Sequence, residues 1–304
     1  MNADLDAFAT ELYVTIDDIL IDHPGLCPFR PEVGTELQLS DSELLTMAVL
    51  QAVLGYSNEA RFIRYVDVHL RHLFPYVPER PGYNKRLRGS VAMVQGVMRI
   101  LATRCSSWHD DLWLIDSTPV ECGRSRETAK RSNLAGTAGY GYCSSHSRYF
   151  WGLRLHLVAT PSGLPISYAL TNPKDDERQV ARDLLETDSE LFAQRNAQTV
   201  MADKGYRSAE FEQWLSEHGA TLIRPALKTE SPRPGQRFLR PFRQIIESIN
   251  QTLKAQLDIE RHAARSFAGV AVRVLQRLLA LTAVIWRNEQ TGLPTLRSLT
   301  IYDH

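Results

Sequence analysis

The sequence is poor in cysteine, and the few cysteines form no motif. Four cysteines occur among 304 residues, without a CxxC pair or a dense framework. Small secreted domains that depend on disulfides need such a framework. The composition therefore favours a protein of a reducing cytoplasm over a secreted one.

The sequence predicts neither a signal peptide nor a membrane-spanning segment. Its first residues contain neither a basic segment nor an uninterrupted apolar one, so no signal peptide is expected. The most apolar late stretch, residues 278–286, is too short for a membrane span and follows Arg273 and Arg277. It predicts a buried helix and no membrane partner.

There is no net charge, and this alone argues against a nucleic-acid partner. The charges are nevertheless segregated along the chain. Residues 1–24 hold six acids and no Lys or Arg, residues 121–154 hold six basic residues against two acids, and residues 224–265 hold nine against four. Each basic segment is either a solvated face or a surface for phosphate, and the sequence leaves both interpretations open.

Residues 1–107 have a helical pattern. From Ser40 the stretch SDSELLTMAVLQAVLG has Glu43 at the spacing of a capping box, apolar residues at helical intervals, and Gly55 as a stop. Helical periodicity continues to about residue 104. We therefore predict a helical region over residues 1–107, followed by a second domain over residues 108–292 and a tail over residues 293–304.

After residue 107 the pattern changes to that of an α/β domain. Strands are predicted near residues 112, 150 and 165, before any long helix. In the second of them Leu153, Leu155 and Leu157 alternate with Arg154 and His156, which predicts a half-buried strand. Two further strands, near residues 199 and 221, alternate with helices, and a long helix begins near residue 242. This order predicts a mixed five-stranded sheet, with three antiparallel strands first and parallel strands afterwards, flanked by helices.

Two of the predicted strands end on a carboxylate. Residues 112–115 are apolar and lead to Asp116, and residues 200–202 are apolar and lead to Asp203. If the first and fourth strands are neighbours, both acids lie in one crevice. Two close carboxylates repel each other unless one takes up a proton or a cation lies between them, and Mg²⁺ prefers such oxygen ligands. Taken singly, either Asp could simply begin a turn.

A third carboxylate lies on the long helix after residue 242. Its apolar residues predict a buried stripe, and a polar stripe lies beside that one. The polar stripe comprises Arg243, Glu247, Asn250, Lys254 and Arg261. Glu247 either faces the crevice or forms an ordinary exposed pair with Arg243. Three such carboxylates can hold two Mg²⁺ ions about 4 Å apart for in-line attack on a phosphodiester, with Mn²⁺ as a substitute.

These residues resemble those of an insertion-sequence transposase of the Asp-Asp-Glu (DDE) class. IDSTPV is similar to its first Asp motif, ADKGY to its second, and RQIIESINQTLK to its third. Related transposases place Arg, Glu and Lys at the spacing of Arg243, Glu247 and Lys254, with a Tyr where this chain has Arg240. LSDSELLTMAVLQ, HLFPYVPERPGYNKRLR and GYGYCSSHSRYFWGLRLHL look most like the insertion sequence 982 family.

The resemblance implies a fold, a site and partners. The fold is RNase H-like, and Asp116, Asp203 and Glu247 are the catalytic metal ligands. The reaction is Mg²⁺-dependent hydrolysis at terminal inverted repeats, which exposes 3′-OH ends, followed by their transfer into target DNA. The enzyme works as a dimer or higher oligomer near the nucleoid of a bacterium or archaeon, and residues 1–107 serve repeat recognition or multimer contacts.

Polar and basic side chains near these motifs are candidates for DNA contact, with plain surface charge as the alternative for any one of them. They are Lys254, Arg243, Arg240, Lys204, Asn250, Arg261, Arg124, Arg126, Lys130, Arg131, Lys85, Arg86 and Arg88. Residues 123–150 also carry Tyr140, Tyr142 and Tyr149. That segment is either a mobile loop whose tyrosines stack on bases or a long loop that covers the core.

Two other functions compete with the transposase. A phosphatase with an Asp nucleophile also begins with an apolar strand that ends on Asp, but it needs a second acid two residues later, where this chain has Thr118. The stronger rival is a catalytically inactive DNA-binding regulator that retains the fold. The three intact acids favour the enzyme over the regulator.

Overall fold

A computed structural model of the chain describes residues 2–30, 37–143, 147–193, 195, 197–226 and 230–302. Its contacts divide the chain into two compact units. The helical unit comprises residues 1–105, 253–264 and 268–304, and the sheet unit comprises residues 106–252 and 265–267. The chain therefore enters the helical unit first, leaves it for the sheet unit, and returns to it near the C-terminus.

Helices occur in both units. In chain order the α-helices are α1 (Asn2–Asp22), α2 (Asp41–Val53), α3 (Glu59–His69), α4 (Arg80–Gly89), α5 (Val91–Thr103), α6 (Arg126–Arg131), α7 (Glu177–Thr187), α8 (Ser189–Ala193), α9 (Ala209–Glu217), α10 (Leu239–Gln251) and α11 (Phe267–Gln290). A π-helical turn, Thr252–Gln256, follows α10 directly. Short 3-10 turns occupy Pro24–Leu26, Ser106–His109, Lys204–Tyr206, Gln236–Phe238 and Thr300–Tyr302.

Helix α2 begins as the sequence predicts. The Ser40 hydroxyl accepts a hydrogen bond from the Glu43 backbone N–H at 3.0 Å, and the Glu43 carboxylate accepts one from the Ser40 N–H at 2.6 Å. This reciprocal pair satisfies two backbone donors that the first turn of a helix leaves open. Almost every residue of α2 is buried, which places it in the core of the helical unit.

Helix α11 is a core helix of the helical unit, although the sequence assigned its residues to the second domain. Its length and composition would allow it to cross a bilayer, but 83% of its most apolar window is buried inside the structure. Its polar residues are buried with it: Gln276 donates to the backbone carbonyl of Ala48 at 2.7 Å, and Arg277 donates to that of Leu257 at 3.2 Å. Such pairing lets polar groups lie in a core without leaving open hydrogen-bonding positions.

The strands form one mixed sheet. They are β1 (Leu112–Gly123), β2 (Gly139–Cys143), β3 (Arg148–Ala159), β4 (Pro165–Thr171), β5 (Gln198–Met201) and β6 (Ala220–Ile223). The order is β2-β3-β1-β5-β6, and β4 pairs with the same edge of β3 as β2 does, further along that strand. Strands β2, β1 and β4 run antiparallel to β3, whereas β5 is parallel to both β1 and β6.

This architecture confirms the predicted fold class and adds one strand. The mixed α/β sheet flanked by helices, with a helical region before it, is consistent with an RNase H-like fold. The sixth strand is β2, in the segment that we interpreted as a loop. Its glycines concealed it, because glycine weakens a strand signal. Residues 144–146 of the same segment lie outside the described residues.

The prediction of a half-buried β3 is wrong. The alternation of Leu153, Leu155 and Leu157 with Arg154 and His156 predicted one solvated face, yet His156 is fully buried and Arg154 is mostly covered. Because α7 packs against β3 and β4, the polar face of β3 is also enclosed. The polar side chains there find partners inside the sheet unit instead of water.

Candidate active site

Asp116 and Asp203 are brought together by the register of two parallel strands. The last parallel pair joins Leu114 of β1 to Met201 of β5, and each Asp lies two residues beyond its member of that pair. Neighbouring strands are about 4.8 Å apart, so the two positions lie side by side where the strands begin to separate. We call Asp116 and Asp203 the acid pair.

The strand that carries Asp116 does not end there, contrary to the sequence-based expectation. Strand β1 continues to Gly123 through antiparallel pairing with β3, in which Asp116 lies opposite Leu157. What ends before Asp116 is the pairing with β5. The backbone at Asp116 is therefore paired with β3 on one side and is no longer paired with β5 on the other.

Asp116 is held in a setting that disfavours its charge. Burial raises the pKa of its carboxyl from 3.8 to about 6, and the charges of Asp203 and Glu177 act in the same direction. Hydrogen bonds from the Ser117 backbone and the Asn250 side chain oppose this effect without cancelling it. A buried carboxyl beside other carboxylates gains most from a cation.

Asp203 occupies the start of a tight turn. Its side chain caps the 3-10 turn Lys204–Tyr206 by accepting a hydrogen bond from the Gly205 N–H at 2.7 Å. Burial around the carboxyl and the charge of Glu177 raise its pKa, whereas Arg243 and Lys204 lower it. The turn thus orients one oxygen of Asp203, a residue that is more exposed than Asp116.

Helix α10 packs against β1 and directs a polar face at the acid pair. Asn250 donates a hydrogen bond from Nδ2 to Oδ2 of Asp116 at 2.6 Å, and the charge of Arg243 acts on Asp203. Glu247 lies between them on the same helical face, one turn before Asn250. Of the polar stripe predicted for this helix, Asn250 therefore contacts the acid pair directly, and Arg243 acts on it through its charge.

The Glu247 side chain is turned toward Arg243 instead of the acid pair. Its Oε1 lies 3.2 Å from Nε of Arg243, and both side chains are largely exposed, at 66% and 82%. No group of three or more His, Cys, Asp or Glu side chains among the described residues is assembled to hold a metal ion. An exposed pair of this kind contributes only a few tenths of a kcal/mol, so reorientation of Glu247 costs little.

Lys254 departs from the helical stripe. It lies in the π-helical turn Thr252–Gln256, which changes the angle between successive side chains relative to α10. Its Nζ is 3.9 Å from Oε1 of Glu260, and the side chain is mostly covered, with 19% exposed. Both residues belong to the helical unit.

Three residues beside the acid pair were not predicted from the sequence. Glu177 is the first residue of α7, its Oε1 accepts a hydrogen bond from the Ser117 hydroxyl at 2.8 Å, and it forms an ion pair with Arg154. Asp176, directly before Glu177, caps α7, because its carboxylate accepts hydrogen bonds from the backbone N–H groups of Arg178 and Gln179.

The chemistry of the donors fits a hard divalent cation. Carboxylate oxygens of Asp116 and Asp203 lie beside each other, and Glu247 lies on α10, the helix that packs against β1. Burial that raises a carboxyl pKa marks a position where a cation would relieve repulsion. Oxygen ligands without thiolate or imidazole are those that Mg²⁺ and Mn²⁺ prefer.

Most of the predicted DNA-contacting side chains are exposed. These are Lys85, Arg88, Arg124, Arg126, Lys130, Arg131, Lys204, Arg240, Arg243 and Arg261. Several form loose pairs within their own segment, such as Arg131 with Glu127 at 3.5 Å. Such pairs are weak enough to be exchanged for a phosphate.

Arg86 differs from these exposed side chains. It is 22% exposed, its Nη2 lies 2.7 Å from Asp41, and it also donates to the backbone carbonyl of Ser40. It thereby ties α4 to the start of α2 and has a structural role in the helical unit.

Tyrosines mark the edge of the sheet at β2. Tyr140, Tyr142 and Tyr149 are exposed, and the rings of Tyr142 and Tyr149 lie 5.0 Å apart. Strand pairing between β2 and β3 fixes Tyr142 opposite Tyr149. The segment thus presents aromatic rings from an ordered strand pair.

The sheet and the acid pair define the class of protein. An RNase H-like sheet with carboxylates on its two central parallel strands is the scaffold of a nuclease-like enzyme. A family model described as the transposase DDE domain matches residues 107–283, more than half of the chain. The chain therefore belongs to the family of transposases with a DDE domain, enzymes that act on DNA and typically use a divalent metal. A comparison with curated proteins gave no significant match.

Proposed function

We propose that this chain is the transposase of an insertion sequence, most like those of the insertion sequence 982 family. It binds terminal inverted repeats, cleaves DNA to expose 3′-OH ends, and joins those ends to target DNA. The observation that carries the proposal is the register of β1 and β5, which sets Asp116 beside Asp203 under the polar face of α10.

The metal ligands in this proposal are Asp116, Asp203 and Glu247. Bound Mg²⁺ or Mn²⁺ would activate the attacking oxygen and stabilise the leaving one. Asn250 keeps Asp116 oriented through its hydrogen bond to Oδ2. Glu247 completes the set when it leaves Arg243, and Arg243 is then free to contact a phosphate.

Both reactions are displacements at phosphorus. In cleavage, the oxygen of water bonds to phosphorus, the bond to the 3′ oxygen breaks, and that oxygen takes up a proton as a 3′-OH. In joining, this 3′-OH loses its proton and its oxygen bonds to a target phosphorus, while the target strand's own 3′ oxygen leaves. The basic side chains beside the crevice, Lys204, Arg240 and Arg243, would hold the backbone that these steps need.

The residues outside the crevice extend the DNA surface. We propose that Tyr142 and Tyr149 stack on bases near the cleaved end, because exposed aromatic rings beside basic side chains suit single-stranded ends. The exposed Lys85 and Arg88 of the helical unit would serve repeat recognition. Two copies acting on paired ends, in the cytoplasm where the DNA lies, complete the proposal.

An inactive regulator is the second candidate. The observation in its favour is the pairing of Glu247 with Arg243, which leaves the third acid turned away from the acid pair. A regulator would need only the basic surface and would not need a buried carboxyl with a raised pKa. Asp116 is such a carboxyl, and this favours the enzyme.

Cleavage of a cognate DNA decides between the two. The native protein is incubated with Mg²⁺ and a duplex that carries the inverted repeats flanking its reading frame, and 3′-OH ends are mapped. We expect cleavage by the native protein and, for Asp203→Ala, binding without cleavage. Binding by the native protein without any cleavage would establish the regulator.

A further inference from the structure

One oxygen of Glu177 is fixed by its neighbours and the other is left open. Oε1 accepts the Ser117 hydroxyl hydrogen bond at 2.8 Å and forms the ion pair with Arg154. Arg154 is itself anchored, because it donates to the backbone carbonyl of Tyr142 at 3.2 Å. Among the described residues, none donates a hydrogen bond to Oε2. The carboxylate is thus oriented by three strands, with a single oxygen available.

The open oxygen of Glu177 faces the same point as an oxygen of Asp203. A Cβ placed on Gly205 would lie 2.8 Å from Oδ1 of Asp203 and 3.1 Å from Oε2 of Glu177. Both oxygens therefore surround a small space that exists because residue 205 has no side chain. The Gly205 N–H donates to this Oδ1 of Asp203 at 2.7 Å, and a cation or a hydrated cation beside the two oxygens would relieve the remaining repulsion.

A buried hydroxyl at this place also lacks a partner. Tyr206 is 1% exposed, and its Oη forms no hydrogen bond within the described part of the chain. The charges of Asp116, Glu177 and Asp203 all act on this hydroxyl. Buried tyrosine hydroxyls almost always have a partner. The missing partner is consistent with a bound water or ligand beside these carboxylates.

We propose that Glu177 is a fourth carboxylate of the metal site, with Oε2 directed at a hydrated divalent cation and Oε1 held by Ser117 and Arg154. The inference rests on the proposed function, because it assumes that Asp116 and Asp203 bind such an ion. It adds an acid from a different element, the first turn of α7. That acid faces the acid pair while Glu247 is still turned to Arg243, so the first ion binds before DNA brings Glu247 into place.

Metal binding without DNA tests this inference. Mn²⁺ is titrated into the full-length native protein and into Glu177→Gln, and the dissociation constant is measured by calorimetry and by the Mn²⁺ resonance signal. Glu186→Gln is the matched control, because Glu186 lies on the same helix and its exposed side chain pairs only with Arg182 among the described residues. We expect about 10–100-fold weaker binding for Glu177→Gln and no change for Glu186→Gln.

A second variant protects the test against loss of folding. Gly205→Ala places a methyl group 2.8 Å from Oδ1 of Asp203 and 3.1 Å from Oε2 of Glu177, so it displaces oxygens of both carboxylates. We expect it also to weaken Mn²⁺ binding. Circular dichroism identifies any variant that does not fold. If Glu177→Gln does not fold, Mn²⁺ binding by Gly205→Ala is the measurement that tests the inference.

The outcomes separate the inference from the proposed function. Native protein that binds no Mn²⁺ overturns both. If a folded Glu177→Gln variant binds Mn²⁺ as tightly as the native protein does, the inference alone is overturned. Glu177 is then a structural partner of Arg154. Unchanged binding in a folded Gly205→Ala has the same meaning. A loss confined to these two variants supports the inference.

Discussion

The surroundings of the Asp116 side chain disfavour its charge, and the same surroundings suit a bound cation. The residue is half-buried, two other carboxylates raise the pKa of its carboxyl further, and only a backbone hydrogen bond and Asn250 oppose this rise. Without a cation such a group destabilises the folded protein once it is ionised. A carboxyl that destabilises the fold when it is ionised is a candidate for a functional role.

The pKa of Asp116 gives a prediction for the metal-free protein. Because the folded-state pKa is about 6 and the ordinary value is 3.8, the folded state retains a proton that the unfolded state has released between those values. Stability should therefore fall as pH rises from about 4 to about 6 and remain lower above that. Asp116→Asn removes the charge and keeps an oxygen for Asn250. We expect it to raise the free energy of unfolding at pH 8 by about 2 kcal/mol.

The measurement is urea unfolding in a chelator at pH 4.5 and pH 8. Asp183→Asn is the control, since Asp183 lies exposed on α7. The control should leave both values nearly unchanged. An Asp116→Asn protein that is less stable than the native one at pH 8 would contradict the raised pKa.

At this scale the sequence identified some site residues and missed others for a physical reason. Asp116 and Asp203 could be predicted because a short apolar run before a carboxylate is visible locally. Glu177 could not be predicted, because its role depends on Arg154, which lies 23 positions earlier in strand β3. His156 was expected on a solvated face and is buried beside Thr171, where burial lowers its pKa to about 4. Contacts between distant segments decide such cases.

Helix α7 should depend on its cap. Asp176 accepts hydrogen bonds from the N–H groups of Arg178 and Gln179, and the Arg178 side chain holds its pKa well below the usual range. We expect Asp176→Ala to cost about 1 kcal/mol of stability at pH 7. A group with a lowered folded-state pKa contributes above its unfolded value and loses the contribution as pH falls. The difference from the native protein should thus shrink below about pH 4.

Urea unfolding at pH 7 and pH 3 checks the cap. Asp176→Asn is the matched control, because Asn also caps helices and should retain most of the stability at pH 7. Equal losses for the Ala and Asn variants at pH 7 would show that the charge of Asp176 matters and its cap does not.

Helix α10 should contact phosphate through Arg243. This side chain is 82% exposed, and its ion pair among the described residues is the exposed one with Glu247. We expect Arg243→Ala to weaken binding to all DNA sequences alike and to lower the slope of log affinity against log salt by about 1. Fluorescence anisotropy over a range of salt concentrations measures both quantities.

Arg182→Ala provides the comparison for Arg243→Ala. Arg182 forms the same kind of exposed i, i+4 pair on α7, with Glu186 at 2.7 Å. Its salt slope should match that of the native protein. If both variants alter the slope equally, Arg243 is only one of many surface charges.

Some features of these elements could not be predicted from periodicity. Arg243, Glu247 and Asn250 share one helical face, as their spacing predicts, because they lie in regular α-helix. The same stripe extended to Lys254 ignores the π-helical turn that begins at Thr252. Strand β2 was missed because Gly139 and Gly141 resemble loop residues. At both, a Cβ would clash, with Asn172 at 2.6 Å or with Phe150 at 2.7 Å, so their purpose is close packing.

For the whole chain, the helical unit depends on segments from both termini. Helix α11 is buried against helices that precede residue 105, as the hydrogen bond from Gln276 to Ala48 illustrates. A fragment of residues 1–105 would expose the surface that α11 covers. We expect this fragment to melt without a cooperative transition and to bind a hydrophobic dye. A fragment of residues 106–252, which is continuous in the sheet unit, should melt cooperatively.

Thermal circular dichroism and dye fluorescence on both fragments measure this difference. Adding residues 253–304 to the first fragment should restore a cooperative transition and reduce dye binding. A cooperative melt of residues 1–105 alone, at the midpoint of the intact chain, would contradict the dependence on α11.

The divided helical unit has a consequence for protein synthesis. The first 105 residues leave the ribosome about 160 residues before α11 does, an interval of roughly 10–30 s at common translation speeds. During that interval the nascent sheet unit can fold, whereas the helical unit still lacks α11. A polypeptide released early by a stop or a frameshift before α11 would therefore carry the acid pair on a molecule whose helical unit is incomplete.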